Sequence, residues 1–354
     1  MTRRIPLIGF VLAAGLVVAA CGGGTGTGPA PTTAATSQAP GTLPKPEIAT
    51  VRIGISTQNE PVQFAEKLAE SLGIYQKYGL TATVTGFEGD GKALQALVAG
   101  QLDYFVGGAS ATISSVVTET PLKLIAMNST VLTDGLYCTK DIKAAGDVKG
   151  KSVAISTFGG TSHGSSLLML QGIGLTSKDA VITQVGNQGT RIAALKGGSV
   201  GCAVVDKSQD AAMKEQGFNL VFDLSTSKLQ WGRSGLQTTV ANLAKYPNMT
   251  LVVVAAVLEA QNSIWTDPAT AATKFAEFAQ IKPDDATKAI KDFQGYGSRS
   301  MTFTEDALKA PRDVLGAVNP AIANVDVAKA IDLSFLKKLQ EIGFYTKIGA
   351  PTSN

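Results

Sequence analysis

The chain has 354 residues, 44% of them apolar and 17% charged, with a formal net charge of +3. That length accommodates two domains of ordinary size with a substantial core. The near-neutral balance, +1 once Arg3 and Arg4 are set aside, carries no electrostatic footprint for nucleic acid, and a lone histidine with no acidic cluster beside it argues against a metal site.

In chain order, Arg3 and Arg4 precede an apolar run over 5–20, and the run closes on the small residues Val18-Ala19-Ala20 before Cys21. The pattern resembles a bacterial lipoprotein signal. It implies a signal peptide over 1–20, cleavage before Cys21, diacylglycerol with palmitate-type chains on that sulfur, and a mature protein lipid-anchored on the extracytoplasmic face of the cell membrane. The other readings are an ordinary secretory peptide or a membrane-spanning anchor, for which the run is short. A protein held there has no ready access to ATP or reduced nicotinamide, which excludes the enzymes that need them. Residues 22–44 are almost entirely Gly, Thr, Pro, Ala and Ser without an aromatic, so 21–47 is expected to be a disordered tether. Beyond it no stretch is expected to span a membrane, since the apolar run over 251–260 is too short.

The next signal is an internal repeat. Val51-Arg-Ile-Gly-Ile-Ser-Thr57 aligns with Lys151-Ser-Val-Ala-Ile-Ser-Thr157 at an offset of 100. Downstream, Gly91-Lys-Ala-Leu-Gln-Ala-Leu-Val-Ala-Gly100 aligns with Gly189-Thr-Arg-Ile-Ala-Ala-Leu-Lys-Gly-Gly198 at an offset of 98. Each half reads strand, helix, strand, helix, strand: 52–55, 65–78, 81–85, 92–99 and 104–106, then 152–155, 165–172, 180–185, 191–196 and 202–205. The alternation predicts an α/β fold with parallel sheets covered on both faces. After a strand over 122–127 and the second half, the chain is mostly helical by pattern: 254–265, 268–280, 286–293, 305–314, 326–330 and 333–342.

Four motifs stand in order: Leu72-Gly-Ile-Tyr-Gln-Lys-Tyr-Gly-Leu80, Ala93-Leu-Gln-Ala-Leu-Val-Ala-Gly-Gln-Leu-Asp103, Asp147-Val-Lys-Gly-Lys-Ser-Val-Ala-Ile155 and Ala194-Leu-Lys-Gly-Gly-Ser-Val200. With them the chain resembles solute-binding proteins of ABC importers, in the group for nitrate, sulfonates, taurine and thiamine-precursor pyrimidines. The resemblance implies a type II periplasmic-binding-protein fold: two Rossmann-like α/β lobes joined by two crossover strands, with a cleft between. Lobe one would take 48–134 and 242–350 and lobe two 135–241, with crossovers near 134–137 and 237–242.

Ligands of open α/β sheets bind beyond the carboxyl ends of the strands, which makes five strand-end segments the candidate ligand site. Ser56, Thr57 and Gln58 end the first strand of lobe one; Thr157, Phe158, Gly160, Thr161 and Ser162 follow its counterpart in lobe two. Gly108, Ala109 and Ser110 close another strand, Asn187 follows the second strand of lobe two, and Asp206 can accept from an amine or pyrimidine. Hydroxyls, glycines and free N–H groups at a helix start make an anion cradle that needs no arginine. Each segment reads equally as a helix cap or tight turn. Phe64, Phe87, Phe158 and Trp231 are the aromatics considered for stacking on a flat solute, and Arg233 is a less favoured cation.

Gly160-Thr-Ser162-His163-Gly164 matches a nucleophile elbow, but His163 is the only histidine, so Ser162 has no separate base and no catalytic residue is expected. Cys138 and Cys202 are either a disulfide outside the cytoplasm or two buried thiols. The expected function is capture of a small anionic or zwitterionic solute by a monomer and its delivery to an ABC permease and its ATPase. Two rivals stay open: a sensor module for a signalling kinase, and an enzyme of the same fold.

Overall fold

The repeat folds into two sheets of matching topology in a computed structural model that describes residues 41–353 except 119 and 228. The expected signal peptide, Cys21 and most of the tether lie outside these residues. The last part of the tether, 41–47, is seated on the body: Lys347 Nζ donates to the Gly41 carbonyl, and the Glu47 carboxylate accepts from the N–H groups of Asn248 and Met249. Polar contacts hold this stretch, which apolar composition does not register.

The first half runs β1 (Thr50–Ile55), α1 (Ala65–Ser71), α2 (Ile74–Lys77), β2 (Thr81–Gly86), α3 (Asp90–Val98), β3 (Tyr104–Gly107), α4 (Ala109–Ser115) and β4 (Leu122–Val131). The single helix expected over 65–78 is divided, because Gly73 takes φ 67° and ends the first piece in the left-handed region. The second half runs β5 (Asp134–Cys138), β6 (Ser152–Ile155), α5 (Thr161–Gly172), β7 (Val181–Gln184), α6 (Gln188–Lys196), β8 (Cys202–Asp206), α7 (Asp210–Glu215) and β9 (Asn219–Asp223), and β10 (Gln230–Thr239) follows.

Sheet one has the order β2-β1-β3-β10-β4 and sheet two β7-β6-β8-β5-β9. Ile53 pairs with Val84 in the first and Val153 with Ile182 in the second, so the sequence repeat is also a register repeat. Neither sheet is wholly parallel as expected. β10 runs antiparallel to β3 and β4, and β5 antiparallel to β8 and β9. These two strands arrive from the other half and enter their sheets from the opposite end.

The first sheet with its helices forms lobe one, and the second forms lobe two. Within β10, Trp231 packs in the lobe-two core and Leu236 in the lobe-one core. The return crossing therefore lies between them, earlier than the expected 237–242, and β10 joins lobe one's sheet instead of ending lobe two. Likewise Ala126 belongs to the lobe-one core and Leu132 to that of lobe two, which puts the outward crossing before the expected 134–137. The register slips between Gln230 and Ser234, where the strand pair turns from one lobe to the other.

The remaining chain adds α8 (Val240–Lys245), α9 (Pro247–Thr266), α10 (Pro268–Ala279), α11 (Pro283–Gln294), α12 (Asp306–Gly316), α13 (Pro320–Ala323), α14 (Ser334–Glu341) and α15 (Phe344–Ile348). The apolar run over 251–260 extends into the 20-residue α9, which is long and apolar enough to cross a membrane but is packed as a core helix of lobe one. In lobe two, antiparallel pairing sets Cys138 directly opposite Cys202, and the two are joined in a disulfide.

Candidate functional site

The strand ends of both sheets meet at a partly open polar cavity of about 30 Å³. Beyond β1, Gln63 Oε1 accepts from the N–H groups of Ser56 and Thr57 at 2.8 and 3.2 Å, and its Nε2 donates to Ser56 Oγ at 2.7 Å. Beyond β6, Ser162 Oγ accepts from Ser156 N–H at 2.8 Å, and the two hydroxyls lie 2.7 Å apart. The repeat thus places the same backbone turn on each wall, closed by a glutamine in one lobe and a serine in the other.

This changes the expected anion cradle. The N–H groups of Phe158, Gly159 and Gly160 go to Gln184 Oε1, His163 Nδ1 and the Thr157 carbonyl. The Thr161 N–H, at the start of α5, reaches Asp90 Oδ2 of lobe one at 3.4 Å. A helix start attracts negative charge, and here a side chain of the facing lobe supplies it.

Of the candidates, Ser56, Thr57, Gly108, Thr161, Ser162 and Asn187 line the cavity. Gly108 is required by closeness: a Cβ there would stand 1.7 Å from Thr161 Oγ1 across the cleft. Asn187 is also the cap of α6, its Oδ1 accepting from Thr190 N–H at 3.0 Å. Asp206 is buried behind the lining and bonded to Arg233 and Thr133. Thr157 packs against Gly91 at the rim, and Gly160 lies beside Asp90. The others are elsewhere. Gln58 is exposed, Ala109 and Ser110 are buried in α4, and Phe158, 58% exposed, stands edge-on to His163 in a surface groove. Phe64 and Trp231 belong to the cores, and Phe87 packs on a lobe-one cluster, so among the described residues no aromatic side chain lines the cavity.

Sequence reading missed the charged lining of Glu60, Asp90, Asp134 and Arg191 and the neutral Gln63 beside it, and it discounted Arg233. One signal was available for Asp90. It directly precedes Gly91, as Gln188 precedes Gly189, in the aligned blocks. Glu60 and Asp134 have no such pattern.

Arg233, on the crossing strand, is the hub of this lining. Its Nη2 lies 2.7 Å from Glu60, 3.1 Å from Asp206 and 3.4 Å from Asp134. Burial works against its charge, but Asp134, Glu60 and Asp206 outweigh that and keep the guanidinium ionised. Arg191 donates from Nε to the Val204 carbonyl and from Nη1 to Gly186, each at 2.9 Å. Burial pushes Glu60 up to about 7 and also raises Asp90. Among the described residues no lysine or histidine lines the cavity, and the Ser162 hydroxyl is bonded to Ser156. Among the described residues no cluster of metal-ligating side chains is present.

The fold is shared with solved structures. The alkanesulfonate-binding protein SsuA from Xanthomonas axonopodis pv. citri, bound to MOPS, is 17% identical with a TM-score of 0.69, covering 81% of this chain and 99% of its own. The nitrate-binding protein NrtA from Synechocystis PCC 6803 is 17% identical with a TM-score of 0.66, covering 88% and 93%. The desulfurization enzyme DszB is 14% identical with a TM-score of 0.61, covering 83% and 99%. These likenesses identify the architecture as the periplasmic-binding-protein fold. No curated protein matches the chain in sequence. The family model described as NMT1/THI5 like matches residues 64–271, more than half of the chain, and on that match the chain belongs to the NMT1/THI5-like family.

Proposed function

We propose that this protein is an extracytoplasmic, lipid-anchored receptor that captures a small solute between its lobes and delivers it to an ABC permease and its ATPase. The observation that carries the reading is the polar cavity lined by strand ends of both sheets, with Asp90 of lobe one against Thr161 of lobe two. A solute there touches both walls only while the lobes are together, so binding shifts the population toward the closed form and presents it to a transporter. The binding proteins that share the fold support this assignment. The Ser162 hydroxyl is bonded to Ser156 and not to His163, whose Nδ1 accepts from Gly159 N–H, which favours binding over the enzyme reading that DszB raises.

The test is isothermal titration of the detergent-solubilised full chain with nitrate, sulfonates, taurine, bicarbonate, amines and pyrimidines, the ligand then being recovered and weighed. One saturable site per chain with the solute recovered unchanged is expected. Recovery of a converted product, or saturation that alanine at Ser56, Thr161 and Ser162 leaves untouched, would overturn the assignment.

A further inference from the structure

The charge of the cavity narrows the solute class, an inference that rests on the solute-binding reading above. Four buried carboxylates, Glu60, Asp90 and Asp134 in the lining and Asp206 behind it, surround two arginines, Arg191 and Arg233. The formal balance is two negative charges in excess. Both arginines are already engaged, Arg233 with three carboxylates and Arg191 with two backbone carbonyls. The α5 start, where an oxyanion would otherwise settle, faces Asp90. Burial raises Glu60 to about 7, so part of the excess is relieved by a proton at neutral pH.

Three polar atoms in this setting have no hydrogen-bond partner: Gln188 Nε2, Thr161 Oγ1 and Arg233 Nε. Their residues are 1%, 4% and 6% exposed. Gln188 is oriented, since its Oε1 accepts from Asp206 N–H at 2.6 Å, which leaves its amide donor unpaired in the lining. A buried donor left unmatched is costly, as is a buried charge without a counter-ion. Together these groups ask for a ligand that brings positive charge to the carboxylates and one acceptor to the donors.

We infer that the cavity takes a small solute of net positive charge, a protonated amine with an acceptor atom beside it, and rejects free oxyanions such as nitrate and sulfonates. The ammonium group pairs with Asp90 and Glu60, and the acceptor receives Gln188 Nε2. An oxyanion entering the same space meets surplus negative charge, and each guanidinium it could reach is already committed in part, Arg233 to three carboxylates and Arg191 to two carbonyls.

The experiment is titration calorimetry of the detergent-solubilised full chain with a charge-graded set: glycinamide and agmatine as cations, methylammonium as a cation without an acceptor, glycine and taurine as zwitterions, nitrate and methanesulfonate as anions. Glycinamide or agmatine is expected to bind at least tenfold tighter than any zwitterion, with the anions weakest. Asp90→Asn should weaken the cations at least tenfold and improve the anions. Gln188→Ala, checked for an unchanged melting temperature, should weaken glycinamide while leaving methylammonium as it was. Tightest binding by an anion or zwitterion, insensitive to Asp90→Asn, would overturn the inference and leave the solute-binding reading standing. No saturable binding by any member, or turnover of one that binds, would remove both.

Discussion

In lobe one the sheet is covered by α9, most of whose residues are buried, and by the helices packed around it, whereas in lobe two the edge strands β7 and β9 contain no fully buried residue. The C-terminal helices pack mainly in lobe one, lobe two taking Ala310 and Val314 of α12 on its core, and a thin layer buries too little apolar surface to hold itself well. The disulfide between β5 and β8 lies in that lobe. The two walls of the cleft differ in the same spirit. Lobe one presents the carboxylates of Glu60 and Asp90, and lobe two presents Arg191, Gln188 and the α5 start together with the carboxylate of Asp134. A repeated backbone thus carries different side-chain chemistry on its two faces.

The largest effect should come from the group that joins the two lobes. Arg233→Met leaves Glu60, Asp134 and Asp206 buried without their shared cation and is expected to cost as much as about 5 kcal/mol, read by urea unfolding. A loss below about 1 kcal/mol would show that the carboxylates do not need it. Next, replacing Cys138 and Cys202 together by alanine frees a loop spanning a sequence separation of 64 and should cost about 4 kcal/mol. Hydrogen exchange should rise in β5 to β9 and stay unchanged in β1 to β3; equal loosening of both lobes would refute the idea that only lobe two leans on the bond.

Lobe one carries a different liability. Glu66 is fully buried, and burial raises its carboxyl to about 7, with its own N–H and Asn128 pulling the other way. The folded value lies above the unfolded one, so the neutral acid's contribution is complete below pH about 4.5 and is lost as pH rises through about 7. Glu66→Gln should therefore flatten the fall in unfolding free energy between pH 5 and pH 8 by about 3 kcal/mol. Denaturation curves of both forms at the two pH values decide it, and parallel slopes would exclude the residue as the cause. The smallest effect concerns a cap that is also a cavity residue: Asn187→Ala should cost about 1 kcal/mol through the lost bond to Thr190 N–H. A change confined to ligand affinity would instead make Asn187 a contact alone.

The strand-end loops were legible because each follows a β-branched run whose period and length announce a strand, and because Ile55 and Ile155 stand in aligned segments. The break at Gly73 was readable in principle, since glycine is the residue that ends helices this way. The crossover was not. Whether β10 belongs to one sheet or the other depends on pairing with β3 and β4, which lie about a hundred residues or more earlier in the chain. Phe158 shows the same limit, for its place in the anion loop says nothing of the direction its ring takes.

By itself the sequence determined the two-fold repeat, the order of strands and helices within each half, and which loops would stand at the strand ends, because these follow from local periodicity and turn chemistry. Only the tertiary structure decided the character of the cleft. Glu60, Asp90, Asp134, Arg191 and Arg233 come from five separate segments and acquire their electrostatic meaning when burial removes water from between them. The strength of a charge's interactions depends on its neighbours and on the medium around it, and neither is written in the spacing of residues along a chain.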